Sequence, residues 1–272
     1  MVWAPRAYER RSSNCRSHSG VTIPVKPILG WCVLLVFAWF HSAQFASAPE
    51  PRSFSPPLVA PLTAEQVVHN LIEMNSARAK ALLAYEGTRT YRLVYRGFPR
   101  RSSAEMVVKV RYRSPATKEF TIVSQNGSRW VIDKLFSRLL AGEKEALTPE
   151  NARRTALDRE NYKFILQNYE DNPGDPLYIL SVQPRSNATF LYRGQIWVNG
   201  THFAVVRIKA EPAKNPSFWI KHTDIEHVYI KIGDFWLPSY DHSVSQIRLG
   251  GNADLTIEYN DYKITDATPL KR

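Results

Sequence analysis

The chain has 272 residues, 44% of them hydrophobic, and a formal net charge of +11. Its two cysteines, Cys15 and Cys32, both fall in the first 48 residues, so the remainder has no thiol nucleophile, no disulfide and no thiolate metal site. Zinc-finger spacing, aromatic RNA-binding signatures and long Lys/Arg runs are missing, which argues against nucleic acid as a partner; a basic surface that favours solubility or attracts anionic headgroups fits better.

In chain order, residues 1–48 read as a signal peptide or N-terminal anchor. Arg6, Arg10, Arg11, Arg16 and Lys26 stand against Glu9 and precede Ile28–Phe40, a run of 13 uncharged, mostly apolar residues. That run is short for a membrane span of about 20 residues, and Ala46-Ser47-Ala48 gives a small-x-small cleavage pattern. The expectation is an exported protein, tethered to the membrane if the segment stays uncleaved. Residues 49–61 hold five prolines (49, 51, 56, 57 and 61) and read as an extended linker.

The folded domain is placed at residues 62–266, with a tail at 267–272. It opens with a helix. Thr63 and Gln66 form a capping box, Leu62 and Val67 occupy the hydrophobic-staple positions, and Val68, Leu71, Ile72, Ala79, Leu82 and Leu83 give an apolar stripe that Gly87 should end. From Thr88 the period becomes two. Tyr91, Leu93 and Tyr95, then Met106, Val108 and Val110, then Phe120 and Ile122, alternate with polar residues, the pattern of a sheet with one buried and one wet face. Asn126-Gly127 predicts a hairpin turn.

Residues 131–157 break the strand pattern with helical spacing at Leu135, Phe136, Leu139 and Leu140 and with Thr148-Pro149, an N-cap followed by proline. Strands then resume to the end, with turns at 172–175, 199–200 and 233–234. A two-residue turn at Asn199-Gly200 would set Ile196 opposite Phe203 and Trp197 opposite His202. A strict register around Gly233-Asp234 would set Glu226 against Asp241, so a bulge near Pro238 is expected to shift it. In the last strand Ala253, Leu255, Ile257 and Tyr259 face one way. The fold class is therefore mainly β (α+β): about ten antiparallel strands whose apolar face the N-terminal helix and a mid-chain helical insertion must cover.

No G-x-S-x-G, H-E-x-x-H or P-loop pattern occurs. His222, Asp224 and Glu226 alternate on one strand face, but a solvated strand exterior accounts for them as well as a metal does, and no fourth ligand can be named. His69, His202, His227 and His242 are scattered. The expectation is a protein that is not an enzyme, with no cofactor and no metal. Trp130, Trp197, Trp219 and Trp236 serve either ordinary core packing or an apolar cavity left where two helices cannot fill a curved sheet.

Five segments, Arg193–Val198, Phe203–Ile208, Glu211–Trp219, Gly233–Pro238 and Leu255–Tyr259, resemble the LolA/LolB-like lipoprotein carriers, above all the bacterial secreted proteins described as outer-membrane lipoprotein-sorting proteins. The resemblance implies a strongly curved antiparallel sheet, an incomplete barrel closed by helices, that binds acyl chains of lipoproteins or other lipids. It implies a periplasmic carrier whose partners are those acyl chains and membrane-bound donor and acceptor proteins. The alternative on the same fold is an envelope-stress sensor binding lipoprotein or lipopolysaccharide; a hydrolase is a weaker third reading. The sequence lacks the LolB-type lipid-modified cysteine, and residues 134–160 are long for a compact carrier. Strand alternation then nominates Tyr91, Leu93, Tyr95, Met106, Val108, Val110, Phe120, Ile122, Leu255, Ile257 and Tyr259 as the inward-facing, ligand-binding set.

Overall fold

The structure, a computed structural model, describes residues 61–270 apart from 99, 216 and 249. The expected export segment, nearly all of the proline-rich linker and the last two residues lie outside the described residues.

Helix α1 spans Ala64–Ala81. Its capping box forms as the sequence requires: Thr63 Oγ1 accepts from the Gln66 amide and Gln66 Oε1 accepts from the Thr63 amide, 3.3 and 2.9 Å. Glu65 in the first turn and Arg78 and Lys80 in the last complement the helix dipole. The helix stops six residues before Gly87. Leu82 turns extended and pairs with Ala267, so Leu82 and Leu83 belong to strand β1 (Leu82–Arg96) and not to the helical stripe. Two adjacent leucines fit either period, and the sheet partner decides.

Strands β2 (Ser102–Arg113) and β3 (Thr117–Gly127) follow. The predicted hairpin at Asn126-Gly127 is absent; both residues pair with β2. Gly127 has φ 94°, and a Cβ there would lie 2.3 Å from the Ser103 carbonyl oxygen. The glycine serves a close strand approach at the exit from the sheet. The chain then enters the insertion: a π-helical turn at Val131–Phe136, α2 at Ser137–Ala146 and α3 at Pro149–Thr155, with Pro149 at the first position.

Seven further strands complete the chain: β4 (Tyr162–Glu170), β5 (Leu177–Pro184), β6 (Tyr192–Asn199), β7 (Ala204–Pro212), β8 (Ile220–Ile232), β9 (Phe235–Ile247) and β10 (Asn252–Ala267). The ten strands form one antiparallel sheet in the order β3-β2-β1-β10-β9-β8-β7-β6-β5-β4. The sheet does not close, since β3 and β4 remain at its two edges. Register shifts interrupt five of the strand pairs, and each adds local bend and twist. The fold is the expected one, mainly β, an incomplete barrel covered by helices.

Two register expectations meet different outcomes. At Asn199 the loop is four residues long, not two. Asn199 Oδ1 accepts from the Thr201 and His202 amides at 3.0 and 2.7 Å, which extends the turn, and Phe203 sits at φ 46°. Trp197 therefore pairs with Arg207, and that guanidinium lies 5.4 Å above the indole. Near Pro238 the expected bulge is present: Val228 pairs with Tyr240 and Tyr229 with Pro238, leaving Ser239 as the extra residue. Glu226 then faces His242, and His227 faces Asp241.

Candidate functional site

The register aligns side chains in rows across the sheet. One row runs Leu166, Leu180, Ile196, Ile208, His227, Asp241, Ile257, Tyr91, Met106, Gln125. The row beside it passes through Val182, Ala210, Ile225, Ser243, Leu255 and Leu93. The first row is polar at His227 and Asp241, on β8 and β9, and again at Gln125 on the β3 edge, and the second is polar at Ser243 on β9. The helices pack on two flanks. Val67, Val68 and Leu71 of α1 pack on the flank of β4–β7 with Leu180, Val182, Ile196 and Ile208. Val131, Ile132 and Phe136 of the insertion pack on the other flank with Tyr91, Met106, Val108 and Ile257.

The insertion flank is tightly tied. The Glu143 carboxylate of α2 accepts from Tyr91 Oη at 2.9 Å, from Lys118 Nζ at 3.3 Å and from Arg89 Nη1 at 2.5 Å. The Arg89 side chain is only 5% exposed and stacks 4.7 Å over the Tyr259 ring. Burial alone would raise the Glu143 carboxyl, but Arg89 and Lys118 hold it below the ordinary carboxylate range. In the uncovered middle, His227 Nδ1 lies 2.6 Å from Asp241 Oδ1, and Tyr259 donates to the other Asp241 oxygen. Burial and that carboxylate push the Tyr259 phenol well above its usual value. Thr223 and Ser245 share a hydrogen bond at 2.9 Å alongside.

The α1 flank contains a cavity of about 340 Å³ under the C-terminal half of the helix. Its wall is mostly apolar: Leu157, Val205, Ile208, Tyr229, Phe235 and Leu237. Arg78 and Trp236 also line it, and Arg78 Nε and Trp236 Nε1 are buried donors without a hydrogen-bond partner among the described residues. The rest of the Arg78 guanidinium is held by the His202 and Phe203 carbonyls. Burial lowers the Arg78 pKa, and Asp234 works in the opposite direction. An apolar wall accommodates an apolar chain, and the volume lies at the low end of ligand pockets, roughly 300–1,000 Å³. A larger open groove, about 950 Å³, lies on the helix-free face. Its wall mixes the charged residues Arg193, Lys209, Glu211, Asp224 and Glu226 with Val182, Pro184, Ile225 and Val244, and Arg193 pairs with Glu211 at 3.4 Å while Glu226 pairs with Arg207 beside it.

The sequence-nominated set gathers on the other flank. Tyr91, Leu93, Met106, Val108, Val110, Ile257 and Tyr259 are buried there, with Phe120 and Leu255 packed around them. None of the eleven lines the 340 Å³ cavity. Two differ from expectation. Ile122 is on the inward register, opposite Val108, yet 51% exposed, because β3 is an edge strand. Tyr95 lies half-buried at the end of β1, its hydroxyl donating to the Phe98 and Gly250 carbonyls. The His222, Asp224 and Glu226 alternation resolves into pairs: His222 with Asp224 at 3.0 Å and with Glu211 at 3.3 Å, and Glu226 with Arg207. Sequence reasoning did not single out Arg78, and it weighed Trp236 only as one tryptophan among four.

Fold and site together define an open antiparallel half-barrel with helices over one face and an apolar cavity beneath one of them. No protein-family model and no curated protein sequence matches the chain. Solved structures do. The chain is similar to an outer membrane lipoprotein-sorting protein domain from Vibrio parahaemolyticus, at 12% identity and a TM-score of 0.42 over 77% of this chain and 96% of that one. It is also similar to a DUF1329 family protein from Desulfovibrio piger, at 14% identity and a TM-score of 0.36 over 74% and 93% of the two chains. A LolA superfamily protein from Nitrosomonas europaea aligns at 11% identity and a TM-score of 0.33 over 78% and 99%.

Proposed function

We propose that the protein is an exported, periplasmic carrier that holds an acyl chain of a lipid or lipoprotein beneath α1, receives it from one membrane-bound protein and delivers it to another, and catalyses no reaction. The observation that supports this most is the apolar cavity of about 340 Å³ beneath α1, walled by Leu157, Val205, Ile208, Tyr229, Phe235, Trp236 and Leu237. Each methylene taken from water contributes up to about 0.8 kcal/mol. Displacement of a fluorescent fatty acid from the purified protein tests the reading. Saturable binding, weakened by Trp236→Phe without loss of melting temperature, is expected. Absence of saturable binding would remove the carrier, and saturable hydrolysis of ester substrates would replace it with an enzyme.

A further inference from the structure

The two ends of the sheet carry different chemistry. At one end lie the β1–β2 link (97–101), the exit from β3 (128–130), the β7–β8 link (213–219) and the β9–β10 link (248–251). These four segments contain Arg100, Arg101, Arg129, Lys214 and Arg248 and no Asp or Glu. They also present the most exposed aromatic side chains: Phe98 at 78%, Phe218 at 75%, Trp130 at 70% and Trp219 at 54%. At the other end the links 114–116, 171–176, 200–203 and 233–234 contain Asp171, Asp175 and Asp234 and no Lys or Arg, and the last turn of α1 adds Arg78 and Lys80. Acidic residues adjoin the first end at Asp133, Glu211 and the β4 edge, where the Asp158 carboxylate accepts from the backbone amides of Glu160 and Asn161.

The four segments form one connected rim. Tyr95 Oη donates to the Phe98 carbonyl at 2.7 Å and to the Gly250 carbonyl at 3.1 Å, joining the first link to the last. Arg248 joins the last to the β7–β8 link through its amide to the Trp219 carbonyl, 2.8 Å, and its Nε to the Phe218 carbonyl, 2.7 Å. The same guanidinium covers the Phe218 ring at 5.1 Å, and Phe218 meets Trp219 edge to face at 5.5 Å. The Ser128 amide bonds the Ser103 carbonyl at 2.8 Å and sets Trp130 beside the start of β2. Single exposed aromatics are ordinary on a soluble surface, but a group of them on one rim with clustered cations is not.

We propose that this rim docks the protein on an anionic lipid bilayer, with the Phe and Trp side chains at headgroup depth and the arginines and lysine against the lipid phosphates. Tryptophan and phenylalanine settle at that boundary, and cations beside them add attraction to a negative surface. The exposed aromatics and cations gathered at the first end supply the orientation. This surface is separate from the cavity under α1, and the proposal stands whether or not that cavity binds lipid.

Amide hydrogen exchange of the full chain tests it, with vesicles of phosphatidylcholine alone and of phosphatidylcholine mixed with phosphatidylglycerol. The expected result is slowed exchange at 97–101, 128–130, 213–219 and 248–251 on the anionic vesicles, with 171–176 and 233–234 unchanged. Arg100→Ala with Arg101→Ala should weaken that protection, roughly fivefold in vesicle affinity for each cation removed. Phe98→Ser with Trp219→Ser should weaken it further while the melting temperature holds. Protection at the acidic end, equal protection on neutral vesicles, or none at the rim overturns the proposal.

Discussion

The two helix-covered flanks of the sheet are built differently from similar strand sequences. On the insertion flank, a continuous cluster from Ala104 to Tyr259 is sealed by Phe136, and Glu143 is pinned by Arg89, Tyr91 and Lys118. On the α1 flank, the helix packs through Val67, Val68 and Leu71 at its start, and its last turns stand over a cavity with two unpaired donors. Alternating apolar residues therefore identify a buried face but say nothing about whether it is filled. What fills it comes from elsewhere in the chain: a large aromatic and a charge clamp on one side, and on the other the small residues of the last turns of α1, such as Ala79, beside Arg78.

The sharpest way to break this contrast is to remove the clamp. Glu143→Ala should cost about 3–5 kcal/mol, because Arg89 would keep its charge in a buried site without a partner; thermal melts would read it, and a loss under 1 kcal/mol would mean that the cluster is wetter than its geometry shows. The same carboxylate sets an acid limit. Its folded pKa is depressed, so its contribution is fully present above the unfolded value, about 4.3, and is lost as pH falls through the folded value. Stability of the unmodified protein should thus fall below about pH 4, and Glu143→Gln should flatten that part of the profile.

A matched pair of enlargements sharpens the comparison at smaller magnitude. Leu93→Phe adds volume to the filled flank, where Leu93 is 5% exposed, and should destabilise by about 1–3 kcal/mol. Val205→Phe adds volume to the cavity wall and should shift stability by less than about 1 kcal/mol, since empty space is available. Equal losses in the two variants would show the flanks to be packed alike. Trp236→Phe has the smallest expected effect, within about 0.5 kcal/mol, because it deletes a buried donor that has no partner to lose.

Much of the fold was legible. The capping box at Thr63 and Gln66, the turns at 172–175 and 233–234 and the alternation through Tyr259 are local signals, and the structure realises each one. The bulge near Pro238 was legible too, from a proline that cannot donate and from two acids that should not face each other. Its consequence was not: a shift of one residue sets His227 against Asp241 between the two helix-packed flanks. The hairpin at Asn126-Gly127 failed because a glycine demanded by close approach of backbones looks the same in sequence as one demanded by a turn. The cavity was illegible for a different reason. Its wall joins α1, the segment after α3 and five strands, and a gap between distant elements leaves no periodicity behind.

An acyl chain held beneath α1, as proposed, would be lost when the wall at Val205 is enlarged. Native mass spectrometry of the purified full chain beside its Val205→Phe variant tests that most directly. The account predicts a lipid-mass adduct on the unmodified protein that is lost in Val205→Phe while the variant stays folded. An adduct retained equally by both, or absent from the unmodified protein, would contradict it.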